Sequence, residues 1–189
     1  MSGSVQVIVL AGGSSRRFGS DKLAALLPDG RSVLGHCLAG MPSGWPLVVV
    51  GPSRVVPEAV AGRVSWVRES PPGGGPLAGI AAGLEAVGSD VVCVVPGDAP
   101  RAGEVLALLV AELDGDVSVS AAVLSDGEGR ANPVLAAYRT DDLRRALPDS
   151  TAGVPARTLL SLPHVEVRAA FEVRDVDTPE DLDAMTRKS

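Results

Sequence analysis

Lys22 is one of only two lysines in a chain of 189 residues that carries 17 basic side chains. It closes the segment Leu10-Ala-Gly-Gly-Ser-Ser-Arg-Arg-Phe-Gly-Ser-Asp-Lys22, where a glycine pair precedes two arginines and the lysine. Such a segment can wrap a polyphosphate. Gly12 and Gly13 let backbone N–H groups come close to an anion, while Arg16, Arg17 and Lys22 bring positive charge. Almost everywhere else the chain uses arginine as its cation, the second lysine being Lys188 in the C-terminal tail. A lysine at 22 therefore suits a compact ammonium, acting as a point charge on phosphate oxygens. The glycine pair alone is equally at home in a solvated strand-to-helix turn. The segment has neither the Gly-Lys-Ser/Thr ending of a P-loop nor the G-x-G-x-x-G of a dinucleotide fingerprint.

Asp98 is the candidate metal ligand. It follows the apolar run Val91-Val-Cys-Val-Val95, which reads as a strand that carries the carboxylate to the edge of a sheet. Magnesium bound to a nucleotide needs one or two protein carboxylates, because the phosphates supply other ligands. The competing reading is a turn-forming or helix-capping aspartate between Pro96 and Pro100. Asp175 and Asp177, in Arg174-Asp-Val-Asp-Thr-Pro179, offer a second carboxylate, and their alternation aims both at one side of an extended segment. They serve equally well to complement the dipole of the helix that follows.

The elements that must position these residues alternate between strand and helix. Strands are expected at Val5–Leu10, Pro46–Val50, Val64–Val67 and Val91–Val95, then near Val117–Leu124, Pro133–Tyr138 and His164–Arg168. Helices are expected at Val33–Ala39 with Ser32 as N-cap, Glu58–Ala61, Leu77 to about Val87, and about Gly103 to Leu113. Further helices are expected at Asp141–Leu147, at Ala156–Leu160, and from Thr178, with Pro179 at the first helical position. Continuous Val-rich strands with helical crossovers predict an α/β fold: three α/β/α layers around a mostly parallel, Rossmann-like sheet. Ligands of such sheets bind beyond the carboxyl ends of the strands. The first glycine loop, Gly51-Pro52, the stretch Gly73 to Gly79, and Gly97-Asp98 all fall at such ends.

Composition limits the partners. A net charge of −6 argues against a general nucleic-acid or membrane-surface binder, and the positive charge is concentrated in the first loop, as a small-anion site requires. With 46% apolar residues but only 3% aromatic, the core must be built from Val, Leu and Ala. Cys37 and Cys93 lack the spacing of a zinc site or a disulfide framework, and Cys93 reads as a small core residue. His36 and His164 sit in ordinary helix and strand contexts. The opening apolar stretch is too short for a membrane span and has no basic leader, which reads as a cytoplasmic protein, either a monomer or a weak homo-oligomer. One domain is expected over 1–189, with a nucleotide-binding half (1–100) and an acceptor-binding half (101–189).

Several motifs together resemble the molybdenum cofactor guanylyltransferases, the MobA-like branch of the nucleotidyltransferases with a nucleotide-diphospho-sugar-transferase-like fold. They are Leu10-Ala-Gly-Gly-x-x-x-Arg-x-Gly-x-Asp-Lys22, Gly75-Pro-Leu-Ala-Gly79, Asp98-Ala-Pro100, Asn132-Pro133 and Asp177-Thr-Pro-Glu-Asp-Leu182, in order over nearly the whole chain. The resemblance implies transfer of GMP from GTP to the terminal phosphate of molybdopterin, with magnesium, giving a guanine dinucleotide and pyrophosphate. It implies that Leu10, Ala11, Gly12 and Gly13 line the nucleotide site, that Lys22 contacts phosphates, and that Asp98 binds magnesium; by their own positions, Gly51 is expected on the nucleotide side and Asp177 as the second metal carboxylate. Gly75, Pro76 and Leu77 would lie against the nucleoside. Asn132 and Arg157 would face the pterin. Loop N–H groups, Arg16 or Arg17, Lys22 and the metal would stabilise the charge that builds up, and no general base is required, because a phosphate monoester is already ionised.

The chain departs from the family pattern in two places. Glu69-Ser70 stands where the family has an aspartate suited to the guanine edge, and Asp175 and Asp177 stand where it has asparagines. The second pattern also occurs in the cytidylyltransferases that act on the same cofactor with CTP, and in phospholactate guanylyltransferases. Other readings are a sugar-1-phosphate nucleotidyltransferase, against which the short chain argues, and a non-catalytic nucleotide-binding module, which would have no need to keep Lys22 and Asp98.

Overall fold

The computed structural model describes residues 3–12, 21–27, 29–171 and 173. Strand β1 (Val5–Leu10) is the centre of the design. It pairs in parallel with β2 (Leu47–Val50) on one side and with β4 (Val91–Pro96) on the other. β2 pairs in parallel with β3 (Val64–Val67). Beyond β4 lie β6 (Ala131–Arg139), β5 (Ala121–Ser125) and β7 (His164–Val167), which completes a seven-stranded sheet in the order β3-β2-β1-β4-β6-β5-β7. β6 runs antiparallel to both its neighbours, and β5 and β7 are parallel.

Alternation along the strands sends side chains to two cores. Val7 and Val9 of β1, with Cys93 and Val95 of β4, pack beneath α1 (Val33–Ala39) and α4 (Gly103–Gly115). Ile8, Val92 and Val94 face the other way, onto α3 (Pro76–Leu84) and α5 (Thr140–Ala146). The short α2 (Glu58–Ala61) adds Val60 to the first core. Each buried Val or Leu contributes about 1.5–3 kcal/mol. With strands covered on both faces, the expected three-layer α/β/α arrangement is present. No helix among the described residues is long and apolar enough to cross a membrane. Cys37 and Cys93 are buried, and burial pushes the Cys93 thiol well above its ordinary range.

Local differences from the expected elements have local causes. The strand expected from Val117 begins at Ala121, because the Asp116 carboxylate accepts from the Ser118 N–H (2.9 Å) and hydroxyl (2.6 Å) and turns the chain first. Residues 156–161 form a 3₁₀ helix rather than an α-helix, with the Thr158 and Ser161 hydroxyls donating three residues back to carbonyls. α3 stops at Leu84, where the Arg144 guanidinium takes the Leu84 and Val87 carbonyls. Arg139 does the same for α4, donating to Leu113 O (3.0 Å) and Val119 O (2.9 Å). Arg144 and Arg139 thus serve the backbone. The helix expected from Thr178 lies outside the described residues.

Candidate active site

The strand order reverses at β1. The chain proceeds outward from β1 to β2 and β3, then returns to place β4 on the other side of β1. The carboxyl ends of β1 and β4 therefore border the crevice where open sheets of this kind bind ligands. Gly97, just past β4, donates its N–H to the Leu10 carbonyl at 2.9 Å, so the Asp98 turn is tied to the end of β1.

Lys22 and Asp98 meet in that crevice. Lys22 opens a 3₁₀ turn (Lys22–Ala24) whose N-cap is Asp21, the Asp21 carboxylate accepting from Leu23 N. The Lys22 Nζ lies 2.5 Å from Asp98 Oδ2, and the two side chains are only 17% and 19% exposed. An ammonium and a carboxylate held together at a sheet edge, with little solvent around them, form an element that an entering polyphosphate and its metal can reorganise. The lysine is suited to phosphate oxygens, and the carboxylate to a hard cation.

Gly12 is exposed, and Glu69 stands beside it. A Cβ on Gly12 would lie 3.8 Å from Glu69 Oε1 and 3.7 Å from the Val50 carbonyl oxygen. The same Glu69 oxygen accepts from Gly73 N at 2.7 Å, holding the glycine turn that leads to α3. Gly75 is the N-cap of α3 with φ +92°, a conformation that suits glycine, and Pro76 follows in the first turn. Ser70 is exposed. Leu77 is fully buried against the sheet, so its side chain serves the core and only its backbone faces the helix N-terminus.

Ala11 is also committed to the protein. Its side chain is buried, its N–H donates to Val50 O (2.8 Å), and its carbonyl accepts from Arg54 (3.1 Å). Leu10 packs partly buried against the second core. Gly51 matters for this approach, because a Cβ there would collide with the Ala11 carbonyl. Leu10, Ala11 and Gly51 thus shape the loop mainly through the backbone. Sequence reasoning assigns Arg54 no role, although it follows the glycine turn that closes β2 and so stands at the same sheet edge.

β6 reaches the same edge with its amino end. Its ladder with β4 runs to Val94 and Ala136. Against β5, the register jumps from Val123–Ala136 to Leu124–Asn132, so Pro133, Val134 and Leu135 bulge outward. The Asn132 side chain accepts from Val134 N (3.2 Å), and the Tyr138 hydroxyl donates to the Pro133 carbonyl (2.6 Å), which satisfies the bulge. Arg157 is exposed at the start of the 3₁₀ helix, after a loop whose Gly153 N–H donates to Gly74 O at 2.8 Å. The loop before Arg157 and the glycine turn are thereby tied together. Gly13, Arg16, Arg17, Asp175 and Asp177 lie outside the described residues.

The site can hold a divalent ion in one limited sense. Asp98 offers a hard oxygen donor, now neutralised by the Lys22 ammonium, and no cluster of three or more His, Cys, Asp or Glu side chains exists among the described residues. That donor set fits magnesium delivered on a nucleotide, whose phosphates complete the shell, and does not fit a metal held by protein alone.

The comparisons agree with this architecture. A Bacillus cereus (strain AH820) protein named "Probable molybdenum cofactor guanylyltransferase" is 35% identical over 136 residues, which is 69% of this chain and 66% of that protein. The chain thus matches just under two thirds of that relative's length. The crystal structure of molybdopterin-guanine dinucleotide biosynthesis protein A from Archaeoglobus fulgidus superposes with a TM-score of 0.70 at 25% identity, over 97% of this chain and 100% of that one. The 2-C-methyl-D-erythritol 4-phosphate cytidylyltransferase of Francisella tularensis shares the fold, with a TM-score of 0.72 at 13% identity over 98% and 100% of the two chains. A family model described as the MobA-like NTP transferase domain matches residues 7–169, so the chain belongs to the MobA-like NTP transferase family.

Proposed function

We propose that this protein is a nucleotidyltransferase that moves GMP from GTP to the terminal phosphate of molybdopterin, releasing pyrophosphate. The observation that carries this reading is the Lys22–Asp98 pair at the β1/β4 crevice, within a chain of the MobA-like family. Residues 1–100 take the nucleotide and residues 101–189 the acceptor, all in one cytoplasmic domain.

Both reactants are anions, so the protein's work is to bring them together and to oppose the charge that grows. An acceptor phosphate oxygen forms a bond to the α-phosphorus as the bond to the β-phosphate's bridging oxygen breaks, and pyrophosphate leaves with that electron pair. Lys22 turns from Asp98 to the phosphates, and Arg16 or Arg17 adds charge from the same loop. Asp98, with Asp177, would hold magnesium, which neutralises phosphate charge when bound. Glu69 has lone pairs beyond the one used by Gly73 and sits beside Gly12, where it accepts from guanine N1–H and N2–H. Gly75, Pro76 and Leu77 present the backbone of the α3 N-terminus to the nucleoside. Asn132 and Arg157 receive the pterin phosphate's side of the complex. No protein base is needed, because the attacking monoester is already ionised.

GTP labelled at the α-phosphorus tests the reading directly. With magnesium and molybdopterin, the label is expected in a pterin-containing dinucleotide, whereas label at the γ-phosphorus is expected in pyrophosphate. Transfer from CTP instead would keep the chemistry and change the base. Transfer to phospholactate would change the acceptor.

A further inference from the structure

We infer that Arg54 is a positioning residue that sets Lys22 in place by clasping the two ends of the phosphate loop; this rests on the nucleotidyl-transfer reading above. The Arg54 guanidinium is 16% exposed and makes four hydrogen bonds. Nη1 donates to the carbonyls of Ala11 and Pro52, each at 3.1 Å. Nε and Nη2 donate to one oxygen of Asp21, at 3.0 and 2.8 Å. Ala11 precedes the glycine pair and Asp21 precedes Lys22, so one planar group ties the end of β1 to the residue beside Lys22.

The second oxygen of Asp21 continues the chain of contacts. It accepts from Leu23 N at 3.2 Å and so caps the turn on which Lys22 stands. Lys22 then reaches Asp98. The order is Arg54, Asp21, the Lys22 turn, and the β4 carboxylate. A guanidinium is suited to this task because its fork donates in several fixed directions at once, which an ammonium cannot copy. Asp21 is 47% exposed, so the pair adds little to global stability, and its value lies in geometry. Misplacing a phosphate-binding group by about 1 Å costs on the order of 100-fold in rate.

The test uses the full chain and the variants Arg54→Ala, Arg54→Lys and Asp21→Asn. Per folded molecule, kcat of Arg54→Ala is expected to fall about 10- to 100-fold, with the nucleotide KM changed much less. Arg54→Lys is expected to recover little of this loss, whereas added guanidinium ion should restore Arg54→Ala and leave Arg54→Lys unchanged. The double variant Arg54→Ala/Asp21→Asn should lose no more than the worse single variant, because the two residues act as one unit. Amide exchange supplies a readout free of catalysis: residues 23–25 of Arg54→Ala should exchange about tenfold faster than in the wild type. Unchanged exchange there, or full activity per folded Arg54→Ala molecule, would overturn the clasp. A wild type that transfers from no nucleotide would count against the functional reading instead, and the exchange measurement would still decide the clasp.

Discussion

The Lys22 ammonium and the Asp98 carboxylate, from the loop after β1 and the turn after β4, lie 2.5 Å apart in the crevice where the strand order reverses. Each neutralises the other. In the proposed reaction a triphosphate with its metal would offer both a better partner. The pair's position on two different strand ends also explains why the site depends on the register of β1 against β4.

Removing either member should cost both turnover and stability. Lys22→Ala and Asp98→Ala are each expected to lower turnover about 100-fold or more. Both side chains are largely shielded, so losing one partner leaves the other charge uncompensated; unfolding should shift by up to about 3–5 kcal/mol, and turnover is compared per folded molecule. Steady-state kinetics beside a calorimetric scan checks both halves of the claim.

Gly51→Ala should act through the backbone. The new methyl group collides with the Ala11 carbonyl, and φ at this position is +152°. Strain of this kind costs about 1–3 kcal/mol. Urea denaturation should show the lower midpoint, and nucleotide binding should weaken as the loop end is displaced.

Glu69 carries the expectation about base choice. If its carboxylate reads N1–H and N2–H of guanine, the wild type should favour GTP over ITP, which lacks the N2 amino group. Glu69→Gln should erase most of that preference and lower kcat/KM for GTP about tenfold or more, since hydrogen bonds to a charged group contribute about 1.5–3 kcal/mol. Competition between GTP and ITP measures this directly.

Arg139→Ala is the control that should harm only the fold. Its guanidinium satisfies carbonyls at the end of α4 and before β5, and losing it leaves them short of donors. The expected cost is about 1–3 kcal/mol, read by chemical denaturation, with unchanged activity per folded molecule.

The sequence made some of these features legible and hid others, for physical reasons. Lys22 and Asp98 stand out because each follows an apolar strand, and the carboxyl edge of a parallel sheet brings such ends together. The bounds of α1, α2 and β3 follow from local signals such as the Ser32 cap, whose hydroxyl accepts from Gly35 N at 3.0 Å. The reversal of β6 was not legible, because Val134-Leu-Ala-Ala137 has the same alternation in either direction. The Pro133 bulge depends on a hydroxyl five residues on, from Tyr138. Arg54 was hidden for a related reason. Its distant partners are Ala11, just past β1, and Asp21, and only the folded chain brings both to one guanidinium.

The most direct test of the central claim is pyrophosphate release with magnesium, comparing GTP, CTP, ATP and UTP, each with and without molybdopterin. Release is expected to be selective for GTP and to require molybdopterin. A folded protein that releases pyrophosphate from none of the four, with molybdopterin present, would contradict it.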